Sequence, residues 1–246
     1  MKLIKIPFSG GGMGRGNGAN EAPNKIVELL PKKSFQVEEI VVDEYNISQS
    51  HKNIEELISK IKEKAIILGG DHSISYPIIK AFSKNNKNFK LIIFDAHPDL
   101  VNNFIPPTHE DYLKVLIEQK IVQPKNILLI GVRNADEIEQ KYIEKKKINT
   151  CSIENIPELI AIIQKFCTED IYLSIDIDVI DPKEAPGTGY PEQNGITIKN
   201  LLIVLKKLKE TSKLKMIDLV EVNPKQDIND KTSILGAKIV SELKDF

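Results

Sequence analysis

In the stretch LIIFDAHPDL (91–100), four apolar residues are followed by Asp95, His97 and Asp99 at alternate positions. Carboxylate oxygens and imidazole nitrogens are the side-chain atoms that bind divalent cations and move protons. Alternate residues of an extended strand share a face, so these three converge on one point if the strand continues through Asp99. The competing reading is a polar loop that begins at Asp95. Two further apolar runs end similarly: AIIL leads into GGDHS with Asp71 and His72, and IYLSI into DIDVIDP with Asp176, Asp178 and Asp181. A fourth run, MIDLV, ends in EVNP with Glu221. Burying such groups is unfavourable unless they are paired or hold a metal.

His72, Asp95, His97, Asp99, Asp176 and Asp178 make an oxygen-rich set with two imidazoles and no thiolate. The set exceeds the four ligands of a tetrahedral zinc site and suits two ions that share bridging carboxylates. Its hard-oxygen bias favours manganese over zinc or copper, so the expected cofactor is a pair of Mn²⁺ ions per chain. Two ions can hold a water between them, lower its pKa and present hydroxide at neutral pH. Metal-assisted hydrolysis is the reaction class these residues support.

The elements that must position these groups alternate along the chain. Apolar runs of strand length occur at 2–8, 37–43, 65–70, 90–96, 126–132, 171–177 and 216–222, with a weaker one at 147–153. Helix-period segments fall between most of them: APNKIVELL, NIEELISKIKE, SYPIIKAFSK, THEDYLKVLIEQ, DEIEQKYIEKK, IPELIAIIQKF and TIKNLLIVLKKLKE. Strands apolar on both faces, separated by amphipathic helices, predict a three-layer α/β/α fold with a mostly parallel sheet of about eight strands. With no linker and no repeat in the sequence, residues 1–246 read as one domain. Open sheets of this kind bind ligands outside the carboxyl ends of their strands, the rim to which four of the runs deliver acids or histidines.

Lys and Arg total 34 against 35 Asp and Glu in 246 residues, a balance that points to neither a nucleic-acid nor a membrane partner. No apolar run has the length of a membrane span, and residues 1–8 do not read as a signal peptide; a cytoplasmic location is expected. Cys151 and Cys167 lack C-x-x-C spacing, which suits reduced thiols. In GGGMGRGNGA (10–19), Gly14, Gly16 and Ala19 meet a relaxed dinucleotide-binding pattern. The turn is long, however, and lacks both a Lys-Ser/Thr pair and a later acidic strand end, so that reading is set aside. His51, in a polar connection, reads as solvated.

GGDHS (69–73), DAHPD (95–99), SIDIDVIDP (174–182) and EVNP (221–224) occur in the order and spacing of the arginase/agmatinase (ureohydrolase) family. The resemblance runs from the glycine-rich start to the C-terminal helix. It implies that His72, Asp95, Asp99 and Asp176 hold one manganese. Asp95, His97, Asp176 and Asp178 hold the other, with Asp95 and Asp176 bridging. Family members cleave a guanidino or formimino C–N bond: a metal-bridging hydroxide attacks the planar carbon, and urea or formamide separates from an amine. The family's eight-stranded parallel sheet between helix layers agrees with the strand runs read from the sequence.

By the same resemblance the catalytic roles fall on His109, Glu221 and Asp99. Glu221 stands where the family glutamate pairs with the guanidinium, a task for a carboxylate that can accept two parallel N–H bonds. His109 stands where agmatinase-like members carry a histidine that passes protons to the leaving amine. The surrounding THED also reads as a helix start, with Thr108 as cap and His109 exposed in the first turn. Asp136 matches either an aspartate that contacts the substrate amine or a helix-start acid. Asn102, beside Asn103, is a candidate for carboxylate recognition, and Arg133 reads as structural.

Compared with arginases the loop LVNNFIPPT is short, which leans the resemblance toward agmatine or another ω-guanidino compound. Glu110 replaces the family's glycine after the histidine, and Tyr190 and Glu192 replace smaller or apolar residues in APGTGYPEQNGIT, so a compact, divergent branch is implied. A small guanidino or amidino substrate and a homo-oligomer, trimer or hexamer, follow from the resemblance. The alternatives are a formiminoglutamate-type amidine hydrolase, an inactive metal-binding scaffold and a single-zinc deacetylase.

Overall fold

The computed structural model describes residues 1–14 and 17–246, so Gly16 of the glycine-rich pattern lies outside the described residues. The described strands are β1 (Lys2–Ile6), β2 (Gln36–Glu39), β3 (Ala65–Gly69), β4 (Lys90–Phe94), β5 (Ile127–Ile130), β6 (Asn149–Cys151), β7 (Ile171–Asp176) and β8 (Leu214–Val220). All pair in parallel in one sheet of order β2-β1-β3-β8-β7-β4-β5-β6. The predicted α/β class and strand number are observed.

Between the strands run α1 (Ala22–Leu29), α2 (Ile47–Ile58), α3 (Ser75–Asn85), α4 (Tyr112–Glu118), α5 (Glu137–Lys146), α6 (Ile156–Phe166), α7 (Ile198–Lys209) and α8 (Lys231–Glu242). The central strands divide their side chains between two cores with period two. Ile66 and Leu68 of β3 pack with Ile26, Leu205 and Val240 on one face. Ala65 and Ile67 pack with Ile54, Ile78 and Leu116 on the other.

Several boundaries differ from the sequence reading for local reasons. Helix α2 starts at Ile47, ahead of the predicted NIEELI, because Asn46 accepts the Gln49 N–H at 3.0 Å and caps it there. That extension places His51 inside the helix and 6% exposed, so it is a core residue rather than a solvated one. Helix α4 starts at Tyr112, and the THED cap is reversed. The Asp111 carboxylate accepts the Thr108 N–H and hydroxyl at 2.7 and 2.6 Å, leaving His109 in the loop before the helix.

The order of the strands brings the motifs together. β3, β8, β7 and β4 are consecutive neighbours in the sheet, and they are the strands that lead into GGDHS, EVNP, DIDVIDP and DAHPD. At the β3 end the chain of β1 lies close: a Cβ on Gly70 would stand 1.8 Å from the Phe8 carbonyl oxygen, which accepts the Asp71 N–H at 2.9 Å. Only glycine admits that approach.

Candidate metal centre and substrate cavity

Strand β4 ends at Phe94, so Asp95, His97 and Asp99 are not presented by a continued strand. The loop converges them instead. Asp95 Oδ1 accepts the His97 N–H at 2.6 Å, and Asp99 adopts a left-handed φ of 53° that turns its carboxylate back toward the rim. His72 opens a single helical turn after β3, with Asp71 capping it through the Ser73 N–H at 2.9 Å. Asp176 is the last residue of β7, and its Oδ1 accepts the Asp178 N–H at 2.8 Å, folding Asp178 beside it.

Two groups of ligand atoms result. His72 Nδ1 lies 3.1 Å from Asp95 Oδ2, 3.1 Å from Asp99 Oδ2 and 3.3 Å from Asp176 Oδ2. His97 Nδ1 lies 2.9 Å from Asp178 Oδ2 and 3.7 Å from Asp95 Oδ1. Asp95 therefore serves both groups, one through each oxygen. Asp176 stands in the first of them.

These residues fit hard divalent cations. His72 Nδ1 is buried and has no hydrogen-bond partner although carboxylate oxygens surround it. Without cations the charges conflict. Burial and the neighbouring Asp95 charge push the Asp99 carboxyl up to about 7, and burial, Asp178 and Asp95 push Asp176 well above the usual carboxylate range. Burial opposes charge on His97, yet Asp178 and Asp95 override it and push the imidazole up to about 12. Asp95 goes the other way: burial would raise it, but His72 and His97 hold it down to about 2. A cluster that pushes Asp99 and Asp176 up against an ionised Asp95 and keeps His97 protonated is relieved by cations in place of those protons.

Behind His72 lies a support that the sequence reading missed. His72 Nε2 is 2.9 Å from Ser174 Oγ, which donates to Asp218 Oδ1 at 2.5 Å. Asp218 Oδ2 accepts the Ser75 hydroxyl at 2.8 Å and the Tyr172 hydroxyl as well. Through this chain the outer nitrogen of His72 is held and the ring orientation set. The signal was present in MIDLV, where Asp218 interrupts an apolar run: a carboxylate fully buried in a central strand requires partners.

Beside the metal groups stands Glu221. It takes a left-handed φ of 62° just past β8, held by its own N–H to the Gly70 carbonyl at 2.7 Å. Its Oε1 accepts the His72 N–H at 2.8 Å and lies 3.3 Å from His109 Nδ1, while Oε2 is buried without a partner. Backbone strain of this kind persists where the surroundings over-determine it, commonly at functional sites. His109 is 5% exposed, its N–H donates to the Gly11 carbonyl, and its Nε2 has no hydrogen-bond partner. Burial opposes charge on His109, but the Glu221 carboxylate pushes it up to about 9.

A cavity of about 330 Å³ opens over these groups and includes His72, His97, Asp99, His109, Asp176, Asp178 and Glu221 in its walls. Asp136 lines it too, but its Oδ1 accepts the Glu139 N–H at 2.9 Å and Glu139 returns the bond at 3.1 Å, a capping box on α5. Val101 borders the cavity; Asn102 is not among its lining residues. Arg133 is structural: its guanidinium donates to the main-chain carbonyls of Gly131, Asp178, Glu192 and Gln193. Asp181 accepts the N–H groups of Lys183 and Gly195 and braces the loop instead of joining the rim.

An α/β/α fold with an acid- and histidine-rich metal centre at the carboxyl rim defines a class of metal-dependent hydrolases. The profile of the Arginase family matches residues 1–244. An agmatinase from Bacillus cereus is 32% identical over 223 residues, covering 88% of this chain and 76% of that protein. The arginase from Bacillus subtilis superposes with a TM-score of 0.88 at 25% identity over 100% of this chain and 98% of that one. Formimidoylglutamase from Bacillus subtilis superposes with a TM-score of 0.90 at 26% identity over 98% of this chain and 85% of that one. The chain belongs to the arginase family. Among the described residues, no helix is long and apolar enough to cross a membrane.

Proposed function

We propose that the protein hydrolyses the terminal guanidino C–N bond of a small cationic substrate, agmatine-like or arginine-like, releasing urea and an amine. The observation that carries this reading is the convergence of His72, Asp95, His97, Asp99, Asp176 and Asp178 from the ends of β3, β4 and β7, with Glu221 from β8, four strands consecutive in the sheet. Two manganese ions held by these side chains would supply Lewis acidity and a water of lowered pKa at neutral pH.

The chain's own residues account for the rest. Glu221 Oε2, unpartnered and buried, is placed to receive the N–H groups of a guanidinium. Its fixed carboxylate orients the planar carbon over the metal groups. Against its burial, Glu221 pushes His109 up to about 9, and the residue lines the cavity, where it can donate a proton to the departing amine nitrogen. Asp99 acts as a ligand whose strained loop position keeps the metal group and the cavity in register.

The likeness to formimidoylglutamase supports a second reading, hydrolysis of a formimino C–N bond with formamide as product. An inactive scaffold is disfavoured by the completeness of the donor set. The test is release of urea or formamide, and of amine, from agmatine, arginine, 4-guanidinobutyrate and formiminoglutamate by Mn²⁺-loaded protein. The metal content is measured alongside, with Asp178→Ala as control. Urea from a guanidino compound, lost in the variant, supports the first reading; formamide supports the second. Absence of two bound metals per chain overturns both.

A further inference from the structure

Among the described residues lining the cavity there is no Lys and no Arg, and beyond Asp99, Asp176 and Asp178 of the candidate metal centre it presents Glu110, Asp136, Glu139, Glu192 and Glu221. Three of those five have tasks already. Glu139 accepts the N–H groups of Leu100 and Asp136, Asp136 caps α5, and Glu221 binds the His72 N–H. Glu110 and Glu192 are left on the wall, where the described lining offers them only the His109 and His97 imidazoles and no Lys or Arg.

Their placement relates them to the inner site. Glu110 Oε1 is 3.9 Å from His109 Nε2, and Glu192 Oε1 is 3.6 Å from His97 Nε2, both beyond hydrogen-bonding distance. The Tyr190 ring packs against both imidazoles, at 5.3 Å from His109 and 6.1 Å from His97. Glu192 is pre-positioned: Arg133 holds its main-chain carbonyl at 2.8 Å, and Asn134 Nδ2 donates to its Oε1 at 2.7 Å. Both side-chain contacts of Glu192 use Oε1, so the carboxylate keeps an oxygen for a ligand. Independently, two of the lining residues each carry a buried atom without a hydrogen-bond partner, Glu221 Oε2 and His109 Nε2, which points to a ligand that engages the inner end.

We propose that Glu192 and Glu110 select substrates that carry a second positive charge, an ammonium separated from the guanidinium by a short aliphatic chain. A carboxylate at the same place is repelled. The inference rests on the guanidine-hydrolase reading and adds to it the residues that read the far end of the substrate. An ammonium among these two carboxylates gains attraction in a partly desolvated wall, and a carboxylate there meets like charge.

The competing role for Glu192 is to orient His97, since a carboxylate near the outer nitrogen of an imidazole ligand tunes the metal. That role affects every substrate alike. The full chain, loaded with Mn²⁺, is titrated by calorimetry with agmatine, butylguanidine and 4-guanidinobutyrate, and urea release is followed in parallel. Wild type is expected to bind agmatine at least about tenfold tighter than butylguanidine, with 4-guanidinobutyrate weakest. Glu192→Gln and Glu110→Gln each narrow that ratio, and the double variant removes most of it.

Equal losses for all three compounds, together with a lower Mn²⁺ content in Glu192→Gln, overturn the inference in favour of the His97 role. A wild type without preference for the ammonium also overturns it, even where urea is released. A preference for agmatine that the variants erase, with no urea from any compound, removes the hydrolase reading and leaves the recognition of the second charge standing. Failure to bind any of the three removes both.

Discussion

The Glu221 carboxylate and the main chain of His72 are joined: Oε1 accepts the His72 N–H at 2.8 Å while the His72 ring faces the metal groups. The residue proposed to hold the substrate cation is thereby tied to a residue proposed to hold a metal, and the distance between the two functions is set by one hydrogen bond.

Glu221→Gln keeps an acceptor for that bond and removes the charge. We expect kcat/KM for a guanidino substrate to fall about 10- to 100-fold, the range for losing a charge-assisted hydrogen bond. Mn²⁺ content should be unchanged, because Glu221 belongs to neither ligand group. Elemental analysis beside the kinetics checks this, and loss of metal would make Glu221 a structural member of the centre.

Metal binding should release protons. In the metal-free protein Asp178 and Asp95 overcome the burial of His97 and push it up to about 12, so near neutrality it carries a proton that a cation must displace. Affinity for Mn²⁺ is then expected to rise with pH, about tenfold per unit for each proton released. Calorimetry in buffers of different ionisation enthalpy counts the protons. Binding that is independent of pH between about 6 and about 8.5 would contradict the assignment of His97.

Asp218 touches no proposed ligand directly and acts through Ser174 on His72. Asp218→Asn replaces the acceptor of the Ser174, Ser75 and Tyr172 hydroxyls with a neutral amide. Mn²⁺ affinity should drop about 10- to 100-fold, as is usual when the support of a ligand is lost. Thermal melts of the metal-free variant separate a loss of fold from a loss of affinity. An unchanged affinity would show that the His72 ring needs no such support.

His51 makes the core sensitive to acid. Burial, with the Lys80 charge adding to it, pushes its imidazole down to about 4, and neither ring nitrogen has a hydrogen-bond partner. Its folded value lies below its unfolded value of about 6.5, so the unfolded chain binds the proton more readily. The contribution to stability is present above about 6.5 and is lost as pH falls toward about 4; its size is up to about 3 kcal/mol. Urea unfolding at a series of pH values, with His51→Leu for comparison, tests it. The variant should show a shallower loss of stability on acidification, and identical slopes would refute the account.

How much of the structure is legible in the sequence depends on the element. The apolar runs located every described strand, since a strand buried on both faces cannot contain many polar residues. Strand ends were less legible. The run at 37–43 was read through Asp43, whereas β2 stops at Glu39, and at this sheet edge the pairing with one neighbour sets the limit. The candidate ligand set was legible because its members stand at or just past the ends of apolar runs, where a charged group needs a reason. Asp218 has the same signature but stands inside its run, and Asp136 showed its helix-capping geometry only once Glu139 was seen to return the bond.

By itself the sequence determined the class of fold, the donor chemistry and the resemblance to one family, because periodicity and side-chain type are local properties. Tertiary structure decided the rest. That β3, β8, β7 and β4 lie side by side is a matter of long-range pairing, which no local pattern encodes. The direction in which Asp95, His97 and Asp99 point comes from a loop with a left-handed Asp99, not from strand alternation. His109 is a buried neighbour of Glu221 rather than an exposed helix-start residue, because the reversed cap at Asp111 keeps it outside α4. The strand order and the burial of His109 against Glu221 rest on contacts between segments distant in the chain, whose energy exists only once the fold has closed.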